Sequence, residues 1–179
     1  MQEPPNVRTV VLRVAALSLL LLLVLIATIT TRALGRVPNT LVYFVKVEVA
    51  GHTLGNSARH LPKAPPEQHL RSTLQLLIKG TTATEEQRGL ATTFPPDMEI
   101  LDIRLQGTEL EVDLPRTFSE GDATVLQSRL HQLFYTLSQP SYVDSVRLFI
   151  EGVPTTYLGR SVQTDNPWHR AAHETLPSW

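Results

Sequence analysis

The sequence predicts an α+β fold: a two-layer sandwich in the order β-α-β-β-α-β, with two helices packed on one mixed or antiparallel sheet, preceded by one transmembrane helix. Three observations carry this expectation. Ile100 to Leu114 reads as a β-hairpin, two later-assigned stretches have helical apolar spacing, and Val14 to Thr31 contains no charge. In the hairpin, Leu101, Ile103 and Leu105 alternate with Asp102, Arg104 and Gln106; Leu110, Val112 and Leu114 alternate with Glu109, Glu111 and Asp113. Period-2 alternation marks a sheet with one buried face. Gly107-Thr108 between the runs suits a two-residue type II′ turn. That turn sets Leu105 opposite Leu110, Ile103 opposite Val112 and Arg104 opposite Glu111. A one-residue slip would send every leucine to water, so the register is strongly specified.

The elements follow in chain order. Residues 1–13 form a short polar start carrying Arg8 and Arg13, assigned to the cytoplasm. Residues 14–31 are read as a signal anchor, with Val14, Leu22 and Thr31 at its start, middle and end. As a helix this run would reach about 27 Å, enough for a hydrocarbon core. Two other readings compete. A cleaved signal peptide would use the small residues Ala33 and Gly35 at a cut after Gly35. A buried core helix is disfavoured because the run has no polar face. Arg8 and Arg13 are balanced by Arg32 and Arg36, so positive charge does not orient the segment. A short tail and one anchor leave the folded domain outside the cytoplasm in the simplest topology.

That domain is assigned to residues 37–160. Leu41 to Val49 is a strand with Leu41, Tyr43, Val45, Val47 and Val49 on its main face; its first half is apolar on both faces, as in a central strand. Ala50 to Pro66 is read as a long loop. Pro66 to Lys79 is a helix, with Leu70, Leu74, Leu77 and Ile78 at helical spacing and Gly80 as its stop. Thr84 to Arg88 adds a turn. Asp122 to Leu137 is the second helix, with Leu126, Leu130, Leu133, Phe134 and Leu137 on one face and Gln127, Ser128, Arg129, Gln132 and Thr136 on the other. Ser145 to Ile150 is the last clear strand, and Val153 to Leu158 adds an edge segment. Residues 161–179 are read as a loose tail holding both tryptophans, Trp168 and Trp179.

Composition removes several functions. The net charge of −1 supplies no basic field for nucleic acid. With no cysteine, there are no disulfides, thiolate metal sites, Cys nucleophiles or Cys-linked lipids.

Leu74-Gln-Leu-Leu-Ile-Lys-Gly80, Gly89 to Leu101, Gly107 to Leu114 with Phe118, Leu133-Phe-Tyr-Thr-Leu137 and Val143 to Gly152 together resemble the GerMN domain, over roughly Leu41 to Leu158. The resemblance implies a domain of bacterial envelope proteins, including sporulation and germination proteins, usually tethered outside the cytoplasmic membrane. It implies a binding or assembly module with no catalytic residues and a fold similar to ring-building motifs of secretion and sporulation complexes. The chain departs from the family's Leu-Val-Pro-Val-like segment at Val47 to Arg59. Many relatives are lipoproteins, and no Cys stands here to be acylated.

The residues themselves carry little chemistry. His52, His60 and His69 lie near one loop, and His169 and His173 are four apart, but neither group has the spacing of a metal site. Asp97, Glu99 and Asp102 cluster in sequence; Glu99 and Asp102, three apart on a strand, would point to opposite faces and not flank one sugar. Ser72 and Ser128 sit within helices, and no phosphate-binding glycine loop is present. No cofactor or metal is expected. The candidate interaction face comprises Phe44 and Phe149, set opposite the main stripes of their strands, with His131 and Tyr135 on the second helix and Trp168 in the tail. The alternative is that a second layer, the tail or the loop covers them. The expected function is noncatalytic: a single-pass envelope protein that self-associates or binds envelope proteins or peptidoglycan. The alternatives are an accessory or regulator of peptidoglycan hydrolysis, binding wall or an amidase, and a wall-acting hydrolase.

Overall fold

The computed structural model describes residues 16–25, 38–48, 51–160 and 162–170. The chain divides into two units, Met1–Val37 and Pro38–Trp179. In the first, residues 16–25 are helical, and Leu22 is 52% exposed. Val14 and Thr31, the expected ends of the anchor, lie outside the described residues. Among the described residues, no helix is long and apolar enough to cross a membrane.

The second unit is α+β, but its strands form separate sheets and not one. Strand β1 (Thr40–Glu48) lies between β2 (Gly51–Arg59) and the short β3 (Leu90–Ala91), in the order β2-β1-β3. Strand β2 lines one whole edge of β1, β3 takes the other edge at Val45 and Lys46, and the hairpin lies in a different sheet. The stretch expected as a loop after Val49 is mostly β2. Gly51, Gly55, Asn56 and Ser57 lower its intrinsic strand preference, and continuous antiparallel pairing with β1, from Thr40 opposite Arg59 to Glu48 opposite Gly51, overrides that preference. Gly55 is required by packing: a Cβ there would stand 2.5 Å from Leu90 Cδ2.

The larger sheet runs Trp168–His169 (β10), Ser145–Ile150 (β6), Glu109–Leu114 (β5) and Asp102–Gln106 (β4), with β7 (Val153–Pro154) on the end of β6. Strands β4 (Asp102–Gln106) and β5 (Glu109–Leu114) form the expected hairpin in the expected register, Leu105 opposite Leu110 and Ile103 opposite Val112. Gly107 has φ 63° and Thr108 is not in the positive-φ region, as a type II′ turn requires. The strand starts at Asp102, and Leu101 is exposed. Strand β5 pairs with β6 in parallel. Two-residue strands β8 (Tyr157–Leu158) and β9 (Val162–Gln163) form a small third sheet.

Helix α1 (Pro66–Lys79) has Pro at its first turn and ends at Gly80, whose φ of 83° suits glycine. The short α2 (Ala83–Gln87) is capped by Thr82, whose backbone N–H and hydroxyl both donate to Glu85 Oε2, at 2.6 and 2.9 Å. Helix α3 (Ala123–Leu137) starts at Asp122, which accepts a hydrogen bond from Val125 N–H at 2.9 Å. Leu70, Leu74 and Leu77 of α1, Leu126, Leu130 and Leu133 of α3, and the inner faces of both larger sheets share one core.

The face of α3 opposite its leucine stripe is largely buried as well. Ser128, Arg129, Gln132 and Thr136 are all buried. Each has a partner inside the fold. Thr136 Oγ1 accepts the Tyr43 N–H at 3.0 Å, and Gln132 Nε2 donates to Thr93 Oγ1 at 3.0 Å. Arg129 donates to the carbonyls of Thr93 (2.8 Å), Phe118 (2.5 Å) and Glu120 (2.9 Å). Buried polar groups are tolerated when paired in this way. The tail is corrected as far as it is described. Trp168–His169 forms β10, with Trp168 opposite Val146 and His169 opposite Ser145. Trp179 lies outside the described residues.

Candidate functional site

The larger sheet presents one face to the core and one outward, because Ile103, Leu110, Val112, Leu114, Val146 and Leu148 all turn inward and are buried. The two registers place the alternate residues in rows across three strands. Arg104, Glu111 and Arg147 form one row, and Asp102, Asp113 and Phe149 the next. The third row is Gln106, Glu109 and Ser145. Ion pairs tie the rows together. Arg147 grips Glu109 with two parallel bonds, Nε to Oε1 at 2.8 Å and Nη2 to Oε2 at 3.1 Å. Hydrogen bonding from Arg147 holds the Glu109 carboxyl below the ordinary carboxylate range, against the opposing effect of burial. Asp102 is paired with Arg104 and lies 3.8 Å from Arg71. Phe149 is half-buried at one end of this charged lattice, and with Asp102, Arg104, Glu111, Asp113 and Gly152 it lines a depression of about 210 Å³.

Of the residues expected on an interaction face, Phe149 is on this outer surface. Phe44 is not: it is fully buried, with the Arg59 guanidinium 5.9 Å from its ring centre. From Val42 to Val45 both faces of β1 are buried, as its apolar first half implies, and its end emerges from the core, with Val47 60% exposed. His131, Tyr135 and Trp168 are brought together, but as packing. Trp168 is 3% exposed; it stacks on Phe134 at 5.0 Å and meets Tyr135 edge-on at 5.4 Å. His131 lies edge-on to Tyr135 at 6.4 Å, and Tyr135 is 5.9 Å from Tyr43. Burial raises the Tyr135 phenol pKa, and Tyr43 adds to the shift. The covering element is therefore the chain just before residue 171, folded back as β10. Asp97 and Glu99 are exposed. Among the described residues, no group of three or more His, Asp or Glu is placed to hold a metal ion; His173 lies outside them.

Sequence reasoning missed the polar interior. The Arg59–Glu85 pair at 2.6 Å joins β2 to α2, and Arg59 also donates to the Gly80 carbonyl at 3.3 Å. Nothing in the local pattern couples residues so far apart. The stripe Arg129, Gln132, Thr136 at i, i+3 and i+7 was legible as a stripe; its burial depends on β1 and Thr93 arriving from elsewhere.

The fold has known counterparts. The first GerMN domain of the sporulation protein GerM from Bacillus subtilis superposes with a TM-score of 0.58 at 18% identity, covering 74% of this chain and 99% of that one. The tandem GerMN domains of the same protein give 0.58 at 17% identity, covering 78% of this chain and 48% of that one. This chain therefore spans about half of the tandem. The crystal structure of a candidate lipoprotein from Clostridium perfringens gives 0.52 at 16% identity, covering 77% and 90%. No curated protein matches the chain. The family model described as Germane, sporulation and spore germination, matches residues 41–156, and the chain belongs to that family.

Proposed function

We propose that this protein is a noncatalytic binding module of the bacterial cell envelope, tethered to the membrane by residues 14–31 with its folded domain outside the cytoplasm. The anchor reading is supported by the uncharged apolar run and by the exposed leucines of the helical residues 16–25. The working surface is the outward face of the larger sheet, which holds another envelope protein or a second copy of the chain. The single observation that carries this is the ordered outer face itself: three strands present interlocked charges around the half-buried Phe149. An apolar ring set among paired charges supplies the anchor and the polar surround that protein interfaces use. Phe149→Glu in the full chain is expected to abolish association while leaving the melting temperature within a few degrees; unfolding would show instead that the ring is core.

A second reading, an accessory of peptidoglycan hydrolysis that binds wall or an amidase, is favoured by a cleft of about 510 Å³ elsewhere on the domain, lined by Thr40, His69, Thr136, Gln139 and Tyr142 and by no lysine, arginine, aspartate or glutamate. A wall hydrolase receives less support: of the carboxylates lining the depression beside Phe149, Asp102 is paired with Arg104 and lies 3.8 Å from Arg71, and Asp113 accepts the Gly152 N–H at 3.0 Å. Incubating the full chain with purified cell wall and assaying soluble fragments separates these readings. No release is expected, and release above a heat-killed control would overturn the noncatalytic account.

A further inference from the structure

The cleft lies between the start of β1, the first half of α1 and the carboxyl end of α3. It encloses about 510 Å³ and is lined by Thr40, His69, Thr136, Gln139 and Tyr142, with Pro38 and Pro140 at its rim. This volume falls in the ordinary range for small-molecule sites, roughly 300–1,000 Å³. No lysine, arginine or carboxylate is among the lining residues. An ionised ligand would find no lysine, arginine, aspartate or glutamate side chain in the lining to pair with, and desolvation penalises an unpaired charge. The polar groups are held in place. His69 Nε2 and Thr40 Oγ1 are 3.0 Å apart. Thr136 Oγ1 accepts from Tyr43 N–H, so its hydroxyl hydrogen points elsewhere. The Gln139 side-chain amide is oriented by its Nε2, which donates to Tyr43 OH at 3.3 Å and to the Tyr135 carbonyl at 3.1 Å. Burial raises the Tyr142 phenol pKa, so at neutral pH it remains a hydroxyl donor.

We propose that this cleft binds an uncharged N-acetylhexosamine glycan. Oriented hydroxyl and amide groups match the hydroxyls and acetamido group of such a sugar, and the Tyr142 ring with the prolines offers apolar surface to its C–H face. Peptides fit less well, because their charged side chains and termini find no partner in the lining. The proposal rests on the reading of the domain as wall-facing, and it names the chemistry that the accessory role would use.

The test uses the full chain in a sugar-free detergent, with the β-1,4-linked N-acetylglucosamine tetramer titrated calorimetrically. Saturable binding below millimolar concentration is expected, with at least tenfold weakening by Tyr142→Ala and by Ser141→Arg, which places a bulky charge at the exposed lip. The deacetylated, cationic tetramer is expected not to bind. Failure of the wild-type chain to bind the tetramer, or binding unchanged in both variants, overturns the assignment. So does preferential binding of a capped alanine tetrapeptide. Pelleting with intact cell wall distinguishes the levels: a chain that pellets but ignores the tetramer retains the wall-binding reading and loses this one.

Discussion

Glu85 shows how one side chain can fasten two segments that the sequence keeps apart. It accepts hydrogen bonds from Thr82 and pairs with Arg59, the last residue of β2. Burial alone would raise its pKa, but the hydrogen bonds from Ser57 and Thr82 and the Arg59 charge outweigh burial and lower it from the ordinary 4.5. A lowered carboxyl binds fewer protons in the folded chain than in the unfolded one. Its contribution is therefore fully present above pH 4.5 and is lost as pH falls through the lowered folded value. Glu85→Gln is expected to cost about 1–3 kcal/mol at pH 7, and the gap from wild type should close in acid, as read by urea unfolding at both pH values. Arg129 makes the opposite demand. Burial lowers its pKa, with Glu120 partly compensating, and its partners are carbonyls from three places in the chain. Arg129→Met strands those carbonyls and should cost about 2–4 kcal/mol. Arg129→Lys should recover only part of the loss, because a single ammonium cannot reproduce the guanidinium fork.

At the scale of elements, the hairpin and both long helices were legible because their signals are local. Gly107, the alternating leucines and the i, i+4 spacing each act within a dozen residues. Strand β2 was not legible: its glycines and small polar residues argue for a loop, and only the partner strand β1 makes it a strand. Gly55→Ala is expected to destabilise the domain by about 1 kcal/mol or more through collision with Leu90, and Leu90→Ala in the same chain should relieve part of that loss in a double-mutant cycle. Strand β10 escaped for a related reason. Two residues give no periodicity, and the placement of Trp168 comes from its stack on Phe134. Trp168→Ala should cost about 3–5 kcal/mol. In a Trp179→Phe background, Trp168 should emit at the short wavelengths of a buried indole and shift to longer wavelength on unfolding.

For the molecule as a whole, the α+β class was readable, whereas the split into separate sheets was not. That split depends on β1 pairing with β2 along one whole edge and with β3 at Val45 and Lys46 on the other, a fact about partners and not about β1. It also explains why the expected interaction residues separate. Phe44 sits where β1 is packed on both faces, while Phe149 sits on the outward side of the larger sheet. The proposed work of the protein accordingly rests on that outward face. Photo-cross-linking from position 149 of the full chain in its native host tests this most directly, with position 44 as the buried control. The account predicts a discrete adduct to a second protein chain from position 149 and none from position 44. Absence of any adduct from position 149, with the domain folded and displayed at normal levels, would contradict it.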